Sequence, residues 1–341
     1  MTSSSQTVRE VVLPDAPSIP GLRFRFVADD SDWVAQAELC KAVSLADDDD
    51  YAPTPEAFRI DITNQPDIDL ARDLLLAEID GQIVGHAFRN ASVRDGYAVH
   101  YLFGRVHPEW RRRGLGRAML HWNERRAREV VAAKPQFGGP DAQFGMWATD
   151  TEEGAIRLLE SEGYTIRRYA FTMINRHLDR ATIVPLPEGL EIRPVTPDQH
   201  RAIFDADDEA FKDHFEHRAA TEQDFTTLFA HPDLDTSLWQ VAWDGDQVAG
   251  SVQTWIWKSE NEALGLRRGW LESVSVRRPW RRRGVAKALI SASLVQLRER
   301  GMEEAMLGVD AENPTGALGV YESVGFEVKV RARSYRKLVE A

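Results

Sequence analysis

The sequence has very little cysteine. Among its 341 residues only Cys40 carries a thiol, so a disulfide within the chain is excluded. Scarce cysteine is typical of proteins in a reducing compartment, and we expect a cytoplasmic protein. Cys40 lies in a helical pattern of apolar residues, which predicts a place in the core or in a cleft lining and not a nucleophile.

Long apolar runs are also missing. No stretch of the sequence approaches the roughly 20 apolar residues that a membrane-spanning helix needs. The first residues, MTSSSQTVREVV, contain no apolar segment, and we expect no signal peptide. The sequence therefore predicts a protein without a membrane partner.

Positive charge is in deficit. Lys and Arg total 42 against 54 Asp and Glu, which gives a formal net charge of −12. This balance argues against nucleic acid as a partner and slightly favours a cationic or amine substrate. The hydrophobic fraction of 43% and the charged fraction of 28% are globular values. The length exceeds the about 100–200 residues of one typical domain.

The sequence does contain a strand, a basic turn with a glycine, and a helix in succession. Residues 271–276 alternate in character, as in a strand, and an apolar helical pattern starts after Gly284. The first turn of a helix has unpaired N–H groups and a partial positive charge. Gly284 and Ala286 would let a diphosphate approach the backbone, and the arginines between them and the strand add charge. This order predicts a site for a pyrophosphate-bearing cofactor.

The same stretch occurs twice. It reads VHPEWRRRGLG at residues 106–116 and VRRPWRRRGVA at 276–286, and the two glycines are 170 residues apart (284 − 114 = 170). Three further pairs of landmarks repeat in the same order at offsets of 165, 168 and 162: Gly85 with Gly250, Leu22 with Leu190, and Gly163 with Gly325. Four repeated landmarks predict two copies of one domain.

The repeated motif resembles that of the GNAT superfamily of acyl-CoA N-acyltransferases, in a tandem two-domain form. The motif is Arg281-x-x-Gly284-x-Ala286 after a Val-x-Val strand. The resemblance implies an α/β (α+β) fold with two tandem GNAT-like domains, each a mixed, mostly antiparallel sheet flanked by helices.

We expect these domains to divide the chain into four parts. Residues 1–20 are predicted to form a flexible N-terminal tail, and residues 21–178 the first domain. Residues 179–189, which contain two prolines, are predicted to form a linker, and residues 190–341 the second domain.

In the family the loop holds the pyrophosphate of coenzyme A, and the strand pairs with the pantetheine amides. The implied donor is acetyl-CoA. Cofactor-binding residues of the second copy are then Val274, Ser275, Val276, Arg281, Arg282, Arg283, Gly284, Val285 and Ala286. Those of the first copy are Val106, Arg111, Arg112, Arg113, Gly114, Leu115 and Gly116. The alternative for either loop alone is a strand-to-helix turn with solvated arginines.

The second copy also carries catalytic candidates. Asn313, followed by Tyr321 in Tyr-Glu-x-x-Gly-Phe, resembles a second family signature. There the Asn contacts the pantetheine arm or orders the cleft, and the Tyr is the general acid at the thiolate. A core aromatic is the alternative for Tyr321.

Glu272 matches a glutamate that removes the amine proton in a family variant, and the alternative is a carboxylate that only binds the ammonium. Even spacing predicts that Glu272, Val274 and Val276 share one strand face. Backbone N–H groups near Val274 and Ser275 are the expected oxyanion donors.

The first copy lacks these candidates. The offsets place Leu159 at the position of Tyr321, Thr151 at that of Asn313, and Leu102 at that of Glu272. We therefore expect the C-terminal domain to be catalytic, and the N-terminal one to bind coenzyme A without turnover or to have lost that binding.

The sequence as a whole predicts an acetyl-CoA-dependent N-acetyltransferase that acts on a primary amine, of a small molecule, by direct attack in a ternary complex. We expect a monomer or homodimer and no metal. Two alternatives stay open: a non-catalytic acyl-CoA-binding sensor or scaffold, and a peptide or protein N-acetyltransferase. Five tryptophans of the second domain line either an aromatic acceptor pocket or the core: Trp239, Trp243, Trp255, Trp257 and Trp270.

Overall fold

The computed structural model describes residues 9–48, 50–65, 67–94, 96–215, 217–312 and 316–340. The chain forms two compact units. Unit 1 comprises the described residues up to Arg167 and those from Arg333 onward, and unit 2 runs from Arg168 to Ala332. The predicted linker, residues 179–189, lies within unit 2. No helix in the described ranges has the length and apolar character to cross a bilayer.

Unit 1 is a sheet with the strand order β1-β2-β3-β4-β5-β6 and helices packed against it. Its strands are β1 (Glu10–Val11), β2 (Leu22–Phe26), β3 (Leu74–Ile79), β4 (Gln82–Arg94), β5 (Tyr97–Val106) and β6 (Gln143–Thr149). Its helices are α1 (Asp30–Asp47), α2 (Pro55–Thr63), α3 (Leu70–Asp73), α4 (Leu115–Ala133) and α5 (Glu153–Ser161). A further strand, β7 (Thr165–Asn175), starts in unit 1 and continues into unit 2.

Unit 2 repeats this plan with the strand order β7-β12-β11-β10-β9-β8. Its strands after β7 are β8 (Glu191–Ile192), β9 (Gln240–Asp244), β10 (Gln247–Trp255), β11 (Arg268–Val276), β12 (Glu304–Asp310) and β13 (Glu327–Leu338), the last of which ends in unit 1. Its helices are α6 (His200–Phe211), α7 (Glu222–Phe229), α8 (Lys258–Leu264), α9 (Val285–Glu299) and α10 (Ala317–Glu322).

Each sheet is mostly antiparallel and contains one parallel pair of strands, which are paired only over a short stretch. In unit 1, β5 pairs with β6 only over Val99–Tyr101, and in unit 2, β11 pairs with β12 only over Arg268–Trp270. Past these residues one backbone edge of β5 and of β11 has no strand partner among the described residues, so its N–H and C=O groups could pair with an extended ligand. The predicted fold class is confirmed.

A close backbone contact explains one repeated glycine. In unit 2 a Cβ at Gly250 would lie 2.5 Å from the carbonyl oxygen of Ser275, and in unit 1 one at Gly85 would lie 3.0 Å from that of Arg105. Each glycine follows a residue that is left out of the ladder, so both copies bend at this place.

The helices that follow the glycine loops are anchored by their apolar faces. In unit 2, Val285, Leu289 and Leu297 of α9 are fully buried in one core cluster, and in unit 1 Leu115 and Met119 of α4 are equally buried. Burial of each such side chain stabilises the fold by about 1.5–3 kcal/mol. The first turn of each helix is therefore held rigidly at the end of its strand.

The described part of the predicted flexible tail is attached to unit 1. β1 pairs antiparallel with β2, and Leu13 is only 4% exposed within the cluster that contains Leu115 and Met119. Asp15 forms an ion pair with Arg125 of α4, with 2.8 Å between the two charged groups. Residues 9–20, called the N-terminal segment below, therefore lie on α4.

Candidate active site

The second glycine loop has the backbone of an anion site. Gly284 has φ 90° and is the N-cap of α9, and Arg282 has φ 60°. Such angles cost an ordinary residue about 1–2 kcal/mol, so glycine relieves the strain at the cap. Among the described residues other than its two chain neighbours, none has an atom within 4 Å of where a Cβ of Gly284 would be. The unpaired N–H groups at the start of α9 thus adjoin open space.

Arg281 binds protein acceptors on two elements. Its Nε donates to the carbonyl of Val276 at 2.9 Å, its Nη1 to Asp213 at 2.8 Å, and its Nη2 to the carbonyl of Ala210 at 2.9 Å. Hydrogen bonds from Arg278 and Arg281 hold the pKa of Asp213 well below its usual range. Arg281 therefore ties the loop to the end of β11 and to α6.

A β-bulge sets the position of Glu272. Gln253 of β10 pairs with Ser273, but the next residue, Thr254, pairs with Leu271, so Glu272 is an additional residue on β11. The strict alternation from which the sequence placed Glu272, Val274 and Val276 on one face is interrupted here. Val274 and Val276 pack against the core, whereas Glu272 is exposed.

The carboxylate of Glu272 has a fixed neighbour. The indole Nε1 of Trp257 donates a 2.9 Å hydrogen bond to its Oε1. Although the residue reaches solvent, the protein around the carboxylate desolvates it and raises its pKa, and the bond from Trp257 lowers the pKa in part. A carboxylate with a raised pKa is a better proton acceptor than an ordinary one.

Tyr321 is buried beside the strand and the loop. It is 6% exposed, its ring meets that of Phe326 edge to face at 6.2 Å, and it shares one core cluster with Val274 and Val285. Burial raises the pKa of Tyr321 to about 12, so the hydroxyl keeps its proton at neutral pH and is able to donate it. Asn313 lies outside the described residues.

Unit 1 has the same loop with a different neighbour. Gly114 has φ 91° and Arg112 has φ 62°, and Arg111 bonds the carbonyl of Val106 at 3.1 Å and both oxygens of Asp47 at 2.6 and 2.7 Å. A Cβ at Gly114, however, would lie 3.3 Å from Cβ of Pro17 in the N-terminal segment.

Two of the three positions in unit 1 that the offsets relate to the catalytic candidates hold apolar core residues, and the third, Thr151, is exposed. Leu102 is 2% exposed and pairs with Arg89 in a ladder whose register is regular from Gly85 to Arg94. Leu159 is 1% exposed. Neither the bulge nor the carboxylate of unit 2 has a counterpart in this ladder.

Two family models match the chain. "Acetyltransferase (GNAT) family" matches residues 200–326, and "Acetyltransferase (GNAT) domain" matches residues 71–166. The chain belongs to the GNAT acetyltransferase family. The two matches fall in the two halves of the sequence, so the chain is a tandem GNAT acyltransferase, as its repeated motif predicted.

Relatives support this assignment. The chain is similar to mycothiol acetyltransferases of Salinispora arenicola, at 30% identity over 75% of this chain and 78% of that protein, and of Geodermatophilus obscurus, at 29% over 75% and 79%. A solved GCN5-related N-acetyltransferase from Sphaerobacter thermophilus is 27% identical, with a TM-score of 0.72 over 97% of this chain and 98% of its own.

Sequence reasoning did not assign three contacts of this site. The Trp257 bond to Glu272 depends on the turn after β10, although Trp257 was a candidate for an aromatic pocket. Asp213 follows α6 and gave no signal as the partner of Arg281. Asp207 of α6 accepts a 2.7 Å hydrogen bond from Ser273, next to the bulge, and burial raises its pKa.

Within the described ranges, no group of three or more His, Cys, Asp or Glu side chains is arranged to hold a metal ion.

Proposed function

We propose that unit 2 transfers an acetyl group from acetyl-CoA to the primary amine of a small molecule, in a ternary complex. The observation that carries the proposal is the bulge, which adds an exposed Glu272 to β11, the strand that also has the open backbone edge and leads into the glycine loop. A strand edge, an anion site and a base on one strand–loop–helix segment are the parts that this reaction needs.

The residues present fit coenzyme A. The N–H groups at the start of α9, with Arg282 and Arg283, would hold the pyrophosphate, because a helix N-terminus and guanidinium groups both favour anions. The free edge of β11 at Val274–Val276 would pair with the pantetheine amides. When bound, acetyl-CoA supplies the acetyl group as an activated thioester.

Proton movements follow from the side chains. A lysine-like ammonium has a pKa near 10.4, so the amine must lose a proton before it attacks, and Glu272 takes that proton. The N–C bond would then form and the C–S bond would break, with backbone N–H groups near Val274 and Ser275 stabilising the oxyanion. The attacking nitrogen would lose its second proton to water in this step. Tyr321 gives its proton to the departing thiolate, whose conjugate acid has a pKa near 8.5.

Two further properties belong to this proposal. The names of the relatives support a small-molecule acceptor. The net negative charge of the chain favours an amine, and the proposal specifies the acceptor no further than this class. We propose a cytoplasmic enzyme that acts as a monomer or homodimer.

A non-catalytic sensor is disfavoured because it has no use for a carboxylate desolvated beside the strand edge.

Thiol release from acetyl-CoA tests the proposal. The wild-type chain is mixed with panels of small-molecule amines and of peptides, and acetylated products are identified by mass spectrometry. We expect amine-dependent thiol release that Gly284→Glu abolishes. If the chain binds coenzyme A tightly but no amine causes thiol release, the protein is a non-catalytic sensor and the proposed activity is wrong. If only peptides cause thiol release, the proposed small-molecule acceptor is wrong.

A further inference from the structure

Trp257 lies next to the base through the chain that follows β10. β10 ends at Trp255, and Trp257 is the N-cap of α8. Its indole N–H is committed to one oxygen of Glu272 at 2.9 Å. The other oxygen has no protein partner in the described part of the chain. One oxygen is therefore fixed and the other is left for a substrate proton.

The indole is held from several sides. It stacks on Trp255 with ring centroids 4.7 Å apart and planes at 19°, and the ring of His231 meets it edge-on at 5.3 Å. The turn that carries it is tied to β11, because Asn261 of α8 donates a 2.8 Å hydrogen bond to the carbonyl of Arg268. A donor fixed in this way limits the rotamers of the carboxylate that it binds.

The charged groups around this part of β11 have other partners. Asp207, from α6, accepts from Ser273, and Glu304, from β12, pairs with Arg268. From α9, apolar Leu297 lies against the strand, and from the loop before β9, His231 contacts the tryptophans. Desolvation raises the pKa of Glu272, and the hydrogen bond from the neutral Trp257 lowers it.

The internal repeat supports the pairing of these two residues. The offset of 165 that relates Gly85 to Gly250 puts Ser92 at the position of Trp257 (257 − 165 = 92) and Arg89 at that of Thr254 (254 − 165 = 89). Arg89 pairs with Leu102 and Thr254 with Leu271, so the bulged Glu272 has no counterpart in this ladder of unit 1. Unit 1 therefore lacks the donor and the acceptor together. A tryptophan that served packing alone would not need to accompany the carboxylate.

We propose that Trp257 is a positioning residue for Glu272, whose indole N–H fixes one carboxylate oxygen and aims the other at the ammonium of the acceptor. This inference rests on the proposed function, since it assigns Glu272 the role of base. Trp257 touches the base and acts through it.

The pH profile of Trp257→Phe tests the inference. Loss of a donor to the charged form raises the pKa of Glu272, so the acidic limb of kcat/KM moves to higher pH. We expect a shift of roughly 0.5–1 pH unit, which is a loss of about three- to tenfold below the limb. Trp239→Phe, a tryptophan of the same unit that packs against Phe229 and is outside this stack, is the control and keeps the wild-type limb. A raised KM for the amine with an unmoved limb would overturn the inference.

A second measurement does not depend on turnover. Glutamate labelled with ¹³C at the carboxyl carbon gives a signal for Glu272 that is assigned by its loss in Glu272→Gln. Its pKa is expected to be higher in Trp257→Phe, and also with benzothienylalanine at 257, an isostere without the N–H that preserves packing. An unchanged pKa overturns the inference whatever the activity. A raised pKa in a chain that acetylates no amine supports the contact and refutes the proposed function instead.

Discussion

Gly114 and Gly284 belong to two loops with nearly the same backbone, with φ angles of 91° and 90°, each ahead of a helix buried on one face. What differs is what surrounds them. Among the described residues, none lies near a Cβ at Gly284, and the strand before this loop carries a bulged glutamate, whereas the loop of unit 1 has Pro17 beside it and follows a strand without a bulge. The geometry of the loop therefore does not by itself distinguish the two units, because it is the same where the catalytic candidates are present and where they are absent.

The largest effect should come from Glu272→Gln. Loss of the base is expected to reduce kcat/KM by about 10²–10⁴-fold. In the wild type, Glu272 must be deprotonated, and its raised pKa places the acidic limb above the ordinary 4.5, so activity falls as pH drops through that limb. The limb should vanish in Glu272→Gln.

The control in unit 1 is Leu102→Met, on the strand that corresponds to β11; it conserves volume and should cost under about 1.5 kcal/mol of stability. Steady-state kinetics across pH on both variants checks the contrast. Equal losses from both substitutions would contradict a base restricted to unit 2.

Tyr321→Phe should have the next largest effect, a fall in turnover of about 10²-fold with little change in acetyl-CoA affinity. The hydroxyl meets developing negative charge only as the thiolate departs, so its contribution appears in the transition state. Leu159→Met, at the corresponding position of unit 1, is the control. If Tyr321→Phe kept a turnover near that of the wild type, with chemistry rate-limiting, the departing thiolate would receive its proton from water and not from Tyr321.

These two sites show where sequence patterns suffice. The glycine loops and the strands before them follow from local signals, namely apolar periodicity, turn residues and a repeated motif. The bulge does not, because it depends on how β10 and β11 register against each other, and it invalidated the alternation argument at Glu272. The bond from Trp257 and the contact of Pro17 join residues whose approach is decided by tertiary packing.

A smaller effect is expected for Asp213→Asn. The substitution keeps the size of the side chain but removes the charge that binds Arg278 and Arg281, so the loop is held less firmly. We expect the KM for acetyl-CoA to rise several-fold while kcat changes little. Asp47→Asn removes the corresponding partner of Arg111 and should leave that KM unchanged. The measurement is steady-state kinetics with varied acetyl-CoA. If unit 1 held the reacting acetyl-CoA, Asp47→Asn would raise the KM and Asp213→Asn would not.

The smallest effect concerns Pro17. The sequence allows coenzyme A binding at the first loop, and Pro17 leaves less space there than exists at Gly284. In a chain that also carries Gly284→Glu, Pro17→Gly should strengthen the residual binding of coenzyme A a few-fold, as measured by calorimetry. A weaker affinity after Pro17→Gly would mean that the N-terminal segment supports the loop.

The division of labour between the units is tested most directly by the turnover of Gly284→Glu and Gly114→Glu side by side. Both substitutions introduce the same side chain at nearly the same φ, so the backbone strain is matched. The account predicts that Gly284→Glu lowers kcat/KM for acetyl-CoA at least tenfold, about 1.4 kcal/mol, because a carboxylate occupies the anion site, and that Gly114→Glu retains wild-type turnover. Loss of turnover in a folded Gly114→Glu chain, with activity kept in Gly284→Glu, would contradict it.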